Sequence, residues 1–329
     1  LKMFPMSKTL KKFAASLAMI LVAGVAHADY PKKAVTLVSP YGPGGAADLA
    51  ARNLAATAPD YLGKEVIVTN RTGAAGVTGS AFVAKSRPDG YTLLLARVGS
   101  QAAVPAINHR IPYKWDDFTF LGLLEKNPFA LVVNAKSDIK SVEDLVKKIK
   151  AGEKLSYASA GVGSLLHISV VMMLDELGMP ANAIQHIPFK GGGKAAAALT
   201  GGHVDLMFQN LSGVIGGIKS GQLRAIAVTS EERFKDVAEV PTVRELGHPN
   251  LEAIVGWSAL YGPKNLPAEV TDKWRTVLGA LAKDKGWVSQ TEKLNSIPDI
   301  RSSQDTKAFV ENQYTGFKTV VDRLGLAIK

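Results

Sequence analysis

Short apolar runs recur along the chain, and the intervals between them carry helical patterns. The runs are AVTLVS (34–39), EVIVTN (65–70), YTLLLA (91–96), FALVVN (129–134), KLSYAS (154–159), AIQHIPF (183–189), VDLMFQN (204–210) and LRAIAVTS (223–230). They are continuous rather than alternating, as expected of strands covered on both faces of a parallel sheet. Between them, one helix starts at Ser141 with Asp144 three residues on, ends in KKIK and stops at Gly152. Another places Leu166, Val170, Met173 and Leu177 on one face and stops at Gly178. Alternation of this kind predicts an α/β architecture.

The last third of the chain changes character. Pro267 opens a helix with Val270, Trp274, Val277 and Leu281 on one stripe, and a final helix carries Val310, Tyr314, Phe317, Val321 and Leu324. Stripes of this width pack on a sheet. No low-complexity linker divides the chain, so two lobes, if present, would be joined by extended crossings, placed near 124–128 and 255–258.

Three strands feed a helix through glycine. The stretches are PYGPGGAAD (40–48), SYASAGVGSLLH (156–167) and PFKGGGKAAAAL (188–199). Free N–H groups and the positive end of a helix dipole favour an anion at such a turn. In open α/β sheets, ligands sit at the carboxyl ends of strands, where these turns lie. A nucleotide phosphate is excluded on pattern: no Lys follows the first glycines, and RTGAAGVTGS (71–80) is not G-x-G-x-x-G. Asp48 stands in the first turn of its helix, either bracing the loop or receiving a ligand donor, and bracing is favoured because Asp commonly caps. His167 is assigned to loop bracing or to donation to a ligand.

Composition narrows the partner. The chain has 329 residues, 39 basic and 29 acidic side chains and no cysteine. Disulfides, thiolate metal sites and cysteine nucleophiles are therefore absent. Lys8, Lys11 and Lys12, the apolar run FAASLAMILVAGV (13–25) and Ala26-His27-Ala28 form a secretory signal peptide over residues 1–28. Its apolar core is too short to span a bilayer. The first residue, Leu1, reads as a non-Met start codon or an over-extended gene start, with Met3 and Met6 as other starts. Residues 1–28 hold four Lys and no acid, leaving 35 basic against 29 acidic side chains, net +6. These charges are dispersed, which suits steering of a small anion and not nucleic acid. No H-E-x-x-H or G-x-S-x-G pattern is present, and Ser164 with His167 reads as a helix cap rather than a nucleophile and base. The chain is read as no enzyme, with no cofactor and no metal.

From Tyr30 onward, ordered blocks carry a family resemblance. They include YP (30–31), PYGPGGAAD, VTNRTGAAGVTG (68–79), RPDGYTLLLA (87–96), SYASAGVGSLLH, PFKGGG (188–193), GGHVDLMF (201–208), GQLRAIAVTSEERF (221–234) and VPTVRELG (240–247). The chain resembles the substrate-binding proteins of tripartite tricarboxylate transporters, the Bug family of periplasmic receptors. The resemblance implies a two-lobed Venus flytrap of the type II periplasmic-binding class, each lobe a mostly parallel sheet flanked by helices. Lobe one would be 29–125 with 256–329, and lobe two 126–255. It implies a periplasmic, monomeric receptor that delivers its ligand to membrane permease subunits, or else presents it to a signalling receptor. One ligand carboxylate would be gripped between residues 41–48 and 159–167, implicating Tyr41, Gly44, Gly45, Ala46, Ala47 and Asp48 on one side. On the other it implicates Ser159, Ala160, Gly161, Gly163, Ser164 and His167.

One position departs from the family pattern. Arg97 ends the third strand, in LLLARVGSQ, where members commonly carry a small or polar residue. Facing the cleft, it would receive a second carboxylate bidentately, favouring a dicarboxylate, aliphatic with four to eight carbons or aromatic. Otherwise it would point outward, or pair with Glu125 or Asp48. A monocarboxylate or another carboxylated molecule is the alternative ligand. Ser100 and Gln101 follow in the same loop. Phe189, Phe208 and Trp257 are expected to cover an apolar spacer, Lys190 and Gly191 to line the third loop, and Gln209 and Asn210 to donate to the distal group.

Overall fold

The computed structural model describes residues 30–328, and the signal peptide read over 1–28 lies outside them. All eight apolar runs form strand: β1 (Val35–Ser39), β2 (Val66–Asn70), β3 (Thr92–Arg97), the second half of β4 (Phe118–Asn134), β5 (Ser156–Ser159), β6 (Gln185–Pro188), β7 (Leu206–Asn210) and β8 (Leu223–Val228). Two further strands close the set, β9 (Val255–Pro263) and β10 (Ile297–Arg301).

The strands make two sheets that share β4. In the first the order is β2-β1-β3-β9-β4, with β10 also on β4; in the second β4 pairs β8 and β7, followed by β5 and β6. The handover occurs within two residues: Pro128 still pairs Val255 of β9, and Phe129 already pairs Asn210 of β7. The fold is two-lobed α/β, but its sheets are mixed rather than mostly parallel. Between the strands of the described residues, parallel pairing is confined to β1–β2, β1–β3, β5–β6 and β5–β7, within the runs β1 to β3 and β5 to β7 where strands alternate with helices. Strands β4 and β9 pair antiparallel throughout. A helical crossover forces parallel neighbours, whereas a strand that arrives from the other sheet is free to enter in the opposite sense.

Helices cover the sheets. They are α1 (Ala46–Thr57), α2 (Pro59–Leu62), α3 (Val77–Ala84), α4 (Val104–Ile107), α5 (Val142–Lys150), α6 (Leu165–Glu176), α7 (Gly192–Thr200), α8 (Leu211–Lys219), α9 (Ala268–Leu281), α10 (Lys285–Lys293) and α11 (Ser303–Arg323). Ser141 caps α5 by accepting from the Asp144 N–H at 3.1 Å, and Asp144 accepts from the Lys140 N–H at 3.0 Å, as the local sequence predicts. The stripe of α9 is buried along its length: Val270, Trp274, Val277 and Leu281. Helix α11 lies on β4, where Thr306 Oγ1 accepts from the Leu123 N–H at 2.6 Å and Ser303 Oγ donates to the Phe120 carbonyl at 2.6 Å. No helix among the described residues is long and apolar enough to cross a membrane.

Candidate functional site

A cavity of about 240 Å³ opens between the sheets, walled by residues from both lobes. Four helices aim their first turns at it. Gly44, Gly45, Ala46 and Ala47 come from the start of α1, Ser164, Leu165 and Leu166 from α6, Gly192 and Gly193 from α7, and Asn210, Ser212 and Gly213 from α8. The first N–H groups of a helix have no intrahelical acceptor, so each turn offers donors and a partial positive charge. Arg97 is the one charged side chain on this wall among the described residues. Four positive helix ends and one guanidinium, with no carboxylate among the lining residues, give the cavity the electrostatics that favour a small anion.

The α1 turn is held by Asp48, which is 2% exposed. Its Oδ2 accepts from the Gly44 N–H at 3.0 Å and from Arg52 Nε at 2.9 Å, and its Oδ1 accepts from Asn70 Nδ2 at 2.9 Å. Burial opposes its charge, but the bonds from Arg52, Gly44 and Asn70 outweigh that and hold its carboxyl below the usual range. Asp48 is thus a brace, and it is not on the cavity wall. Tyr41 does reach the wall; its hydroxyl donates to the Ala75 carbonyl at 2.9 Å, and burial pushes its pKa up to about 12.

The α6 turn is braced from within. Ser164 caps the helix and donates to the Gly161 carbonyl at 2.7 Å. Ser159 Oγ accepts from the Gly161 N–H at 3.1 Å and lies 2.6 Å from His186 Nε2. The Gly163 N–H donates to His167 Nδ1 at 3.1 Å. His167 and His186 stack with centroids 4.2 Å apart, and Tyr157 stacks on His186 at 4.8 Å. Burial, then the neighbouring His186, pushes the pKa of His167 down to about 4, so its ring is neutral and able to accept. Ser159, Gly161, Gly163 and His167 therefore shape this loop, and only Ala160, Ser164 and the two leucines after it stand on the wall.

Arg97 faces the cavity and pairs behind itself as well. Strands β3, β9 and β4 set Arg97, Ser258 and Glu125 in one row, Arg97 opposite Ser258 and Ser258 opposite Glu125. Arg97 Nη1 donates to Ser258 Oγ at 2.5 Å, and Ser258 Oγ donates to Glu125 Oε1 at 2.8 Å. The guanidinium lies 3.7 Å from that carboxylate. Burial lowers the pKa of Arg97, while Glu125 and Tyr41 raise it.

Several residues expected at the site lie elsewhere. Ser100 and Gln101 are fully buried in a π-helical turn behind Arg97, where Gln101 Nε2 donates to Ser80 Oγ at 2.8 Å and the Ser100 carbonyl accepts from the Tyr113 hydroxyl at 2.6 Å. Phe208 and Trp257 are fully buried, because their strand positions face the core. Phe189 packs against the edge of that core, Lys190 is exposed, and Gly191 is the residue before α7, at a positive φ of +107° that favours glycine. The apolar wall comes from Phe129, Leu49, Val98, Leu165 and Leu166 instead. The start of α8 was also missed as an anchor turn. Its signal was legible: LMFQN runs straight into LSGVIGG, a strand feeding a helix with a glycine in its first turn.

Comparison with known proteins places this geometry in context. The model of the tripartite tricarboxylate transporter family receptor matches residues 50–326. Protein BugT of Bordetella pertussis is 33% identical over 313 residues, covering 94% of each chain. The solved structure of Rpa4515 of R. palustris with adipate is 28% identical with a TM-score of 0.84, covering 91% of this chain and 99% of that one. MatC of Rhodopseudomonas palustris with bound malate is 27% identical with a TM-score of 0.81, covering 89% of this chain and all of that one.

Proposed function

Because the chain belongs to the tripartite tricarboxylate transporter family of receptors, and is thus a solute-binding receptor rather than an enzyme, we propose that it captures a small organic dicarboxylate and delivers it to the membrane permease of such a transporter. Receptors of this family are periplasmic, and export of this chain by residues 1–28 is part of the same reading. So is the division into lobe one, 29–125 with 256–329, and lobe two, 126–255.

The observation that carries the ligand class is Arg97 on the wall of a cavity otherwise ringed by helix N-termini. One carboxylate suits the turns of α1 and α6, whose N–H groups act through the helix dipoles. A second suits the planar fork of Arg97. The volume of about 240 Å³ lies below the range typical of drug-sized ligands, so the spacer is short. Phe129, Leu165 and Leu166 cover its apolar middle. The adipate and malate held by two structural neighbours belong to this size and charge class.

The test is selective loss. Truncating one partner of a buried, charge-assisted contact costs roughly 2–5 kcal/mol, so Arg97→Ala should weaken diacid binding about 30-fold or more. A monoacid of equal length should lose far less. Calorimetry with both acids decides it, and equal weakening of the two would remove the dicarboxylate assignment.

A further inference from the structure

We propose that Glu125 is the specificity-determining counter-charge of the site, setting how strongly the distal end of the cavity prefers a full second carboxylate over a neutral polar group. The inference rests on the reading that Arg97 contacts the ligand, and goes beyond it in assigning selectivity to a residue that is not on the wall. Glu125 is 3% exposed and stands behind Arg97, with Oε1 3.7 Å from Nη1. That same oxygen accepts from Ser258 Oγ at 2.8 Å and from Asn127 Nδ2 at 3.2 Å, which fixes the carboxylate toward the guanidinium. Register makes the arrangement rigid, since the three side chains descend from directly paired positions on β3, β9 and β4.

The electrostatic consequence follows from sign and distance. Arg97 stands between the buried carboxylate and the cavity, so its charge is already balanced before ligand arrives. A ligand carboxylate on the open side of the guanidinium would gain from Arg97 and be repelled by Glu125 a few ångströms further away. Two like charges about 6 Å apart in a partly buried site repel enough to change an equilibrium by tenfold or more. A ligand ending in a hydroxyl, an amide or a methyl group escapes that repulsion. Glu125 therefore compresses the preference for dianions that Arg97 alone would create. It also removes the cost of a bare buried cation in the empty receptor.

The experiment is isothermal titration of wild-type protein and Glu125→Gln, at a pH where both carboxyls of the ligand are ionised. The probes are linear α,ω-diacids of four to eight carbons and the monoacids of equal length. Glutamine keeps the acceptor for Ser258 and removes the charge. Glu125→Gln should tighten the best diacid by about tenfold or more and leave its monoacid within about threefold. Equal changes for both acids, or an unaltered diacid affinity in a folded variant, would overturn the inference. The two readings fail separately. Wild-type protein that binds only monoacids, with the variant gaining diacids, would remove the dicarboxylate assignment and keep the role of Glu125. Wild-type protein that binds diacids with an affinity Glu125→Gln does not change would do the reverse. Should the variant fail to fold, Glu125→Asp keeps the charge but draws it back by one methylene, and should shift the ratio of diacid to monoacid affinity in the same direction by about threefold. No shift there would count against the inference equally.

Discussion

Glycines of the two opposed anchor turns serve different ends. Gly163 has φ +80°, and an added Cβ would sit 2.8 Å from Ile107 Cγ2. Gly45 has φ −83°, and an added Cβ would meet nothing closer than the Gly42 carbonyl at 3.7 Å. The first glycine is required by its backbone conformation, whereas nothing in the fold itself requires the second. Gly163→Ala should lower stability by about 1–2 kcal/mol from the left-handed backbone alone. Gly45→Ala should leave the melting temperature within about 1 °C yet weaken ligand binding about tenfold, because its methyl group occupies space where a carboxylate must approach backbone N–H groups. Thermal denaturation beside calorimetry separates the two. A Gly45→Ala protein with unaltered affinity would place the carboxylate elsewhere.

The strand–turn–helix unit is the element that makes the site, and α6 carries a titratable brace. His167 is neutral because burial and His186 push its pKa down to about 4, from about 6.5 in an unfolded chain. The unfolded chain takes up this proton as pH falls through about 6.5, and the folded protein resists until about 4. The stabilisation is therefore complete above about pH 6.5 and is lost between there and about pH 4. His186, also lowered by burial, acts with the same sign. Melting temperature should fall as pH drops through this window. His167→Gln, which keeps an acceptor for the Gly163 N–H, should flatten the fall, since carboxylates titrate alike in both proteins. Parallel profiles for the two would show that His167 titrates alike in the folded and unfolded chain and that burial does not lower its pKa.

At the scale of the whole molecule, β4 and β9 concentrate the connection between the sheets into one short crossing at Pro128 and Val255. Two packed bodies joined by a few extended residues move by hinge closure. Contacts away from the crossing bridge the two halves: Arg323 of α11 pairs with Asp175 of α6, and Lys235 lies 4.0 Å from Glu292 of α10. Both pairs are exposed and weak enough to break and re-form during such a motion. Saturating ligand should lower the radius of gyration measured by small-angle scattering. An unchanged radius, with binding established by calorimetry, would mean that the lobes do not close on the ligand.

Sequence alone determined the strand–helix alternation and the three glycine turns that open helices, because these depend on local propensity and short spacings. Asp48 was readable as a brace for the same reason: its partners Gly44 and Arg52 lie four residues away on either side. Tertiary structure decided what depends on distant pairing. Phe208 and Trp257 read as cleft residues from their blocks, but the strand face that each occupies follows from register, and register turned both into the core. Phe129, one residue past the handover in β4, took their place on the wall. The row Arg97–Ser258–Glu125 spans 161 residues of chain, and only the pairing of β3, β9 and β4 makes it a unit. Pairing Arg97 with Glu125 and facing it to the cleft stood as alternatives in one dimension. A planar guanidinium in a buried row does both, presenting one edge to its counter-ion and leaving its other N–H groups for the cavity.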